Sequence, residues 1–116
     1  MELLKVGLLG HGKMGLIREQ EIAQIKGVQI CAVSDDPLST GRTNSQKCSD
    51  EIIADPAIDA VFICTPNYFN KRYTVAALAA GKHVFCEKPP AFSASEMHEV
   101  RDAERKSRKV LMYGFN

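Results

Sequence analysis

Leu3-Leu4-Lys5-Val6-Gly7-Leu8-Leu9-Gly10-His11-Gly12-Lys13-Met14-Gly15 decides how this chain is read. A short apolar run has the pattern of a strand, a G-x-G-x-x-G turn follows it, and a helical pattern follows the turn. In that order the three glycines have separate tasks. Gly10 permits the tight turn, Gly12 lets a ligand approach the backbone, and Gly15 lets the helix pack on the strand. The free N–H groups and the positive dipole end of that helix then face a diphosphate.

The same alternation of apolar runs and helical patterns continues outward. Met14 to Lys26 reads as the first helix, with Ile17, Ile22 and Ile25 as its apolar positions and Gly27 as its stop. Val28 to Ser34 reads as a second strand, and a short third strand is expected near Lys47. Asp36-Pro37-Leu38-Ser39-Thr40-Gly41 reads as a turn-rich stretch. A short helix over Asp50 to Ala54 precedes a strand over Ala60 to Cys64. Asn70 is expected to cap a helix running to Ala80, closed by Gly81. Lys82 to Cys86 is the next strand. Ser93 caps an amphipathic helix to Ser107 with Met97, Val100 and Ala103 inward, and Val110 to Tyr113 is the last strand. Strands apolar on both faces and joined by helices predict an α/β fold, doubly wound, with a mostly parallel sheet covered on both sides.

Bulk properties restrict the partners. Fifteen basic residues face fourteen acidic ones, so no electrostatic footprint for nucleic acid or anionic lipid exists. No apolar stretch has the length of a membrane span, and no leader pattern is present, so a cytoplasmic location is expected. Cys31, Cys48, Cys64 and Cys86 form no C-x-x-C pair and no metal set with histidine. Cys31, Cys64 and Cys86 fall in apolar runs and read as reduced thiols acting as small hydrophobes. No metal site is expected. His11, His83 and His98 are not spaced as a relay.

Three further signals lie just past predicted strands, where open α/β sheets bind their ligands. Asp35 ends the second strand, and a carboxylate there accepts both ribose hydroxyls of an adenosine half while repelling a 2′-phosphate, which favours NAD over NADP. Arg42 would reverse that preference by reaching a 2′-phosphate, although a solvated loop arginine is the simpler reading. Thr65-Pro66-Asn67 supplies a hydroxyl, a fixed turn and an amide, and a plain turn into a helix explains it equally well. Glu87-Lys88-Pro89 places a cation beside an acid, suited to stabilising an alkoxide or to proton transfer, whereas a lone strand-end lysine is ordinarily a solvated charge. Tyr68, Phe69 and Tyr73 read as helix packing more than as an aromatic wall.

These pieces together resemble the amino-terminal domain of the glucose–fructose oxidoreductase / inositol 2-dehydrogenase family (Gfo/Idh/MocA). The resemblance rests on Val6 to Gly15, Asp55 to Asn67, Ala80 to Pro89 and the closing Gly114-Phe115-Asn116. It implies a six-stranded Rossmann domain over residues 1–116 with strand order 3-2-1-4-5-6. It implies a nicotinamide cofactor, NAD before NADP, held by Gly10, Gly12, Lys13, Met14, Gly15, Asp35, Thr65, Pro66, Asn67 and Glu87. It also implies a catalytic Lys88 working with an Asp and a His of a second α/β domain absent from this chain. The substrate class implied is a small sugar, polyol or nucleotide sugar. The intact protein is expected to be an oxidoreductase and a homo-oligomer, and this piece alone to bind cofactor without turnover. A non-enzymatic dinucleotide-sensing module of the same fold is the alternative. The Lys88–Pro89 bond is expected to be cis. Relatives commonly carry histidine where this chain has Arg18 and Asn70, and leucine where it has Pro90; the segment from Ser39 to Cys48 is short and poor in helix signals. Subfamily and substrate stay open.

Overall fold

A computed structural model describes residues 3–35, 48–89 and 91–114. The strands are β1 (Leu4–Leu9), β2 (Val28–Ser34), β3 (Ala60–Ile63), β4 (His83–Cys86) and β5 (Leu111–Tyr113). The helices are α1 (Lys13–Ile22), α2 (Ser49–Ala54), α3 (Asn70–Ala79) and α4 (Ala94–Ser107), with a 3-10 turn over Asn67–Phe69 before α3. All strand pairs are parallel, in the order β2-β1-β3-β4-β5. The expected order 3-2-1-4-5-6 becomes this one when its third strand is left out. That strand, the turn-rich stretch from Asp36, Arg42, Pro90 and Phe115-Asn116 lie outside the described residues.

Successive strand residues face opposite sides of the sheet, so each strand feeds two cores. Val61, Ile63, Val84 and Cys86 join Ile52, Ile53, Tyr73, Ala77 and Leu78 on the face covered by α2 and α3. Val6 and Ala60 join Ile22 of α1 on the other face. One irregularity lies between β1 and β2, where Val6 pairs with Ile30 and Gly7 with Ala32. Cys31 is the extra residue of this bulge. Ile30 therefore packs on the α1 side and Ala32 on the α2 side.

Several local expectations need correction. The first helix ends at Ile22 rather than Lys26, and Ile17 and Ile25 are 38% and 53% exposed. Only Ile22 of the three reaches the core, where it packs with Val6 and Ala60. Cys31 is exposed although it sits in an apolar run, since it is the bulged residue. Asn70 is not a cap: the preceding 3-10 turn supplies the helix start, and Asn70 is the fully buried first residue of α3. Tyr73 and Phe69 pack in the core as expected, but Tyr68 is 63% exposed. Ser93 does cap α4, its Oγ accepting from the Glu96 N–H at 3.1 Å.

Among the described residues no helix is long and apolar enough to cross a membrane. Lys82 is buried, and its Nζ donates to the carbonyls of Asp55 (2.7 Å) and Ile58 (2.8 Å). It closes the turn before β3 with one side chain. Burial lowers its pKa.

Burial raises the Cys86 thiol to about 12 from an ordinary 9.0. The folded chain keeps that proton where the unfolded chain loses it. The thiol's contribution to stability is complete below the ordinary value and is lost as pH rises through the folded one. The stability gap between the wild type and Cys86→Ala in urea melts should therefore narrow as pH climbs above 9.0; a constant gap would contradict the assigned shift.

Candidate functional site

Four backbone hydrogen bonds cross the carboxyl edge of the sheet in line. Gly10 N–H donates to Ser34 O (2.9 Å), Cys64 to Leu9 (2.7 Å), Glu87 to Ile63 (3.0 Å) and Gly114 to Cys86 (3.0 Å). They extend each strand ladder by one residue. Asp35, the glycine loop, Thr65, Glu87 and Gly114 are thereby brought to a single rim.

The glycine loop is shaped by three different demands. Gly10 has φ +94°, and a Cβ there would lie 2.5 Å from the Cys64 carbonyl oxygen. A Cβ on Gly15 would run into the carbonyl oxygen of Gly10. Both glycines are required by the protein's own packing. Gly12 is different: its φ is an ordinary −83°, and a Cβ built on it meets nothing within 4 Å. No steric demand of the described residues calls for glycine at this N-cap position, and a bare backbone there suits a ligand laid on it. Lys13 follows as the first residue of the helix. Asp35 accepts a 3.1 Å hydrogen bond from the His11 N–H through Oδ1, which pins the loop to the end of β2. The His11 ring meets Glu19 at 2.9 Å.

Beside this cradle is a cleft of about 220 Å³ lined by Met14, Cys64, Thr65, Asn67, Glu87, Lys88 and Gly114. Five of the residues expected from the sequence converge there. Pro66 precedes the 3-10 turn, and Thr65 before it lines the cleft. Thr65 Oγ1 is buried without a hydrogen-bond partner among the described residues. A buried orphan hydroxyl is costly, and a ligand amide or hydroxyl in the cleft would satisfy it. Burial, with the Glu87 charge adding to it, raises the Cys64 thiol to about 12, so it is neutral and unreactive at physiological pH. A larger hollow of about 420 Å³ between α3 and α4 is lined by residues of those two helices alone, with no strand-end loop contributing.

Two interactions that sequence reasoning missed set the Glu87-Lys88-Pro89 loop, whose Lys88–Pro89 bond is cis as expected. Asn70 Nδ2 donates to Glu87 O at 2.9 Å and to Pro89 O at 2.6 Å, one carbonyl on each side of Lys88. Arg18 Nε donates to Glu87 Oε2 at 2.6 Å. Both residues had been noted as departures from the resembled pattern. That they act on the same loop is a three-dimensional fact with no local sequence signal.

The model of the oxidoreductase family with an NAD-binding Rossmann fold, GFO_IDH_MocA, matches residues 4–115. The chain is 37% identical over 120 residues to an uncharacterized oxidoreductase, YrbE, of Bacillus subtilis, covering 95% of this chain and 35% of that protein. It is 30% identical over 121 residues to a myo-inositol 2-dehydrogenase of Thermotoga maritima, covering 97% of this chain and 36% of that one. Among solved structures, a biliverdin reductase of Synechocystis in complex with biliverdin and NADP+ superposes with a TM-score of 0.85 at 27% identity, over 95% of this chain and 37% of that one. The chain thus spans about a third of the length of the curated relatives it matches.

Asn70→Ala should lower unfolding free energy by about 1–3 kcal/mol, because two carbonyls lose a common donor in a buried place. Asn70→Asp should cost more, since it sets an acceptor against those carbonyls. Urea denaturation measures both; a neutral Asn70→Ala would show that the clamp holds nothing.

Proposed function

Because the chain belongs to this oxidoreductase family with an NAD-binding Rossmann fold, we propose that it is the NAD-binding domain of a dehydrogenase acting on a sugar or polyol. The observation that carries the reading is Gly12, a glycine that neither its backbone angles nor its neighbours require. The diphosphate lies there on the first amides of α1, where the helix dipole is positive. Asp35 binds the adenosine ribose and disfavours a 2′-phosphate. NAD is therefore the cofactor proposed, although one structural neighbour is an NADP+ complex.

The nicotinamide half occupies the cleft beside Thr65, Asn67 and Glu87. When bound, the cofactor supplies the hydride acceptor for oxidation of a carbinol carbon, or the donor in the reverse direction. Lys88 lines the same cleft. We assign it the catalytic role of holding the substrate's carbinol oxygen and stabilising the negative charge that develops as its proton departs. The proposed polyol class follows the named relatives, and the proton relay is completed by an Asp and a His of a second domain. This chain alone binds cofactor without turnover.

NAD should raise the melting temperature more than NADP at equal concentration. At a free ligand level about a hundredfold above Kd the added stability is about 2.7 kcal/mol. Gly12→Val should introduce no clash at its Cβ, which meets nothing within 4 Å among the described residues, lower the ligand-free melting temperature by no more than an unfavourable N-cap residue does, and abolish the NAD-induced shift. A shift that survives in Gly12→Val would remove the diphosphate from this spot. A larger shift with NADP would reject Asp35 as the selector.

A further inference from the structure

Arg18 and Glu87 are 69 residues apart, on α1 and just past β4. β3 separates β4 from β1, so the pair bridges the sheet's carboxyl edge rather than neighbouring strands. The side chains are only 18% and 13% exposed. The guanidinium lies 5.0 Å over the Phe85 ring, and its Nη1 donates to Glu21 Oε1 at 2.8 Å. Gly114 closes the remaining side: a Cβ there would lie 3.0 Å from Glu87 Oε1 and 3.2 Å from Arg18 Nη2. Arg18 is thus held by the ring below, Glu21 beside it and the glycine across from it, and its fork fixes one oxygen of Glu87. Glu87 also lines the cleft and directly precedes Lys88.

An ion pair this sheltered is by itself weak evidence for stability. Its directional fork makes it a good orienting device. We propose that Arg18 is a positioning residue that ties the diphosphate-carrying helix to the Glu87-Lys88-Pro89 loop, so that binding of the nicotinamide half depends on it. The inference rests on the dinucleotide reading above. Asn70 sets the loop through its main chain, and Arg18 sets it through the Glu87 side chain. The helix on which the diphosphate rests and the loop that meets the nicotinamide consequently keep one relative placement.

Calorimetric titration of the chain with ADP and with NAD+ tests this. ADP ends at the diphosphate and reaches only the glycine loop and Asp35, whereas NAD+ also carries a ribose and nicotinamide into the cleft. In the wild type NAD+ should bind the more tightly. In Arg18→Met the ADP Kd should stay within about twofold while the NAD+ Kd weakens about tenfold, with Arg18→Lys recovering part of the loss. Hydrogen exchange of the Glu87 and Lys88 amides in the ligand-free chain should quicken in Arg18→Met, with Val61 and Val84 unchanged. Equal losses for both ligands, no loss for either, or unaltered exchange at Glu87 and Lys88 would overturn the proposal. So would a wild type that binds NAD+ no better than ADP. A wild type that binds neither ligand would instead overturn the dinucleotide reading, while the exchange measurement still reports on the link between Arg18 and the loop.

Discussion

No side chain fits where α1 meets the ends of β1 and β3. A Cβ on Gly15 would enter the Gly10 carbonyl, and one on Gly10 would enter the Cys64 carbonyl. This triple backbone approach brings the helix start to the sheet's rim. The N–H groups of a helix start have no intrahelical acceptors. Here they open on the space above Gly12, and the rest of the site is arranged around that opening. Asp35 is tied to the loop through the His11 amide, and Thr65 follows the carbonyl that Gly10 must clear.

The second half of the site depends on a loop held from outside itself. Glu87-Lys88-Pro89 follows a four-residue strand and has little local means of keeping one shape. Asn70 spends both amide protons on its carbonyls, and Arg18 spends its Nε–H on its carboxylate. One comes from α3 on one side of the sheet and the other from α1 on the opposite side. Lys88 is thereby set against both layers of the domain.

The legible and illegible parts divide by the range of the interaction. The glycine stop at Gly81 has a φ of +81° just past α3, a local requirement legible in the sequence, whereas α1 ends at Ile22, well before Gly27. The Ser93 cap is equally local. Ile17 and Ile25 misled, since apolar periodicity reports a face but not whether anything covers it. Asn70 misled for a related reason. Its position before a helical pattern matches a cap, yet its partners are 17 and 19 residues away. Lys82 opens a strand pattern as a charged residue would at a surface, and its two carbonyl acceptors bury it.

From the amino-acid order alone came the alternating strands and helices, the parallel sheet, the glycine loop and the rim residues Asp35, Thr65, Asn67, Glu87 and Lys88. Those features follow from period, turn chemistry and the rule that parallel strands present one set of ends to a ligand. The tertiary structure alone decided that Gly12 is free of any packing demand, that Thr65 Oγ1 is left without a partner among the described residues, and that Arg18 and Asn70 meet at one loop. Each of these is a matter of which atoms from distant segments arrive at the same point, and hydrogen-bond geometry and excluded volume act only once they have arrived.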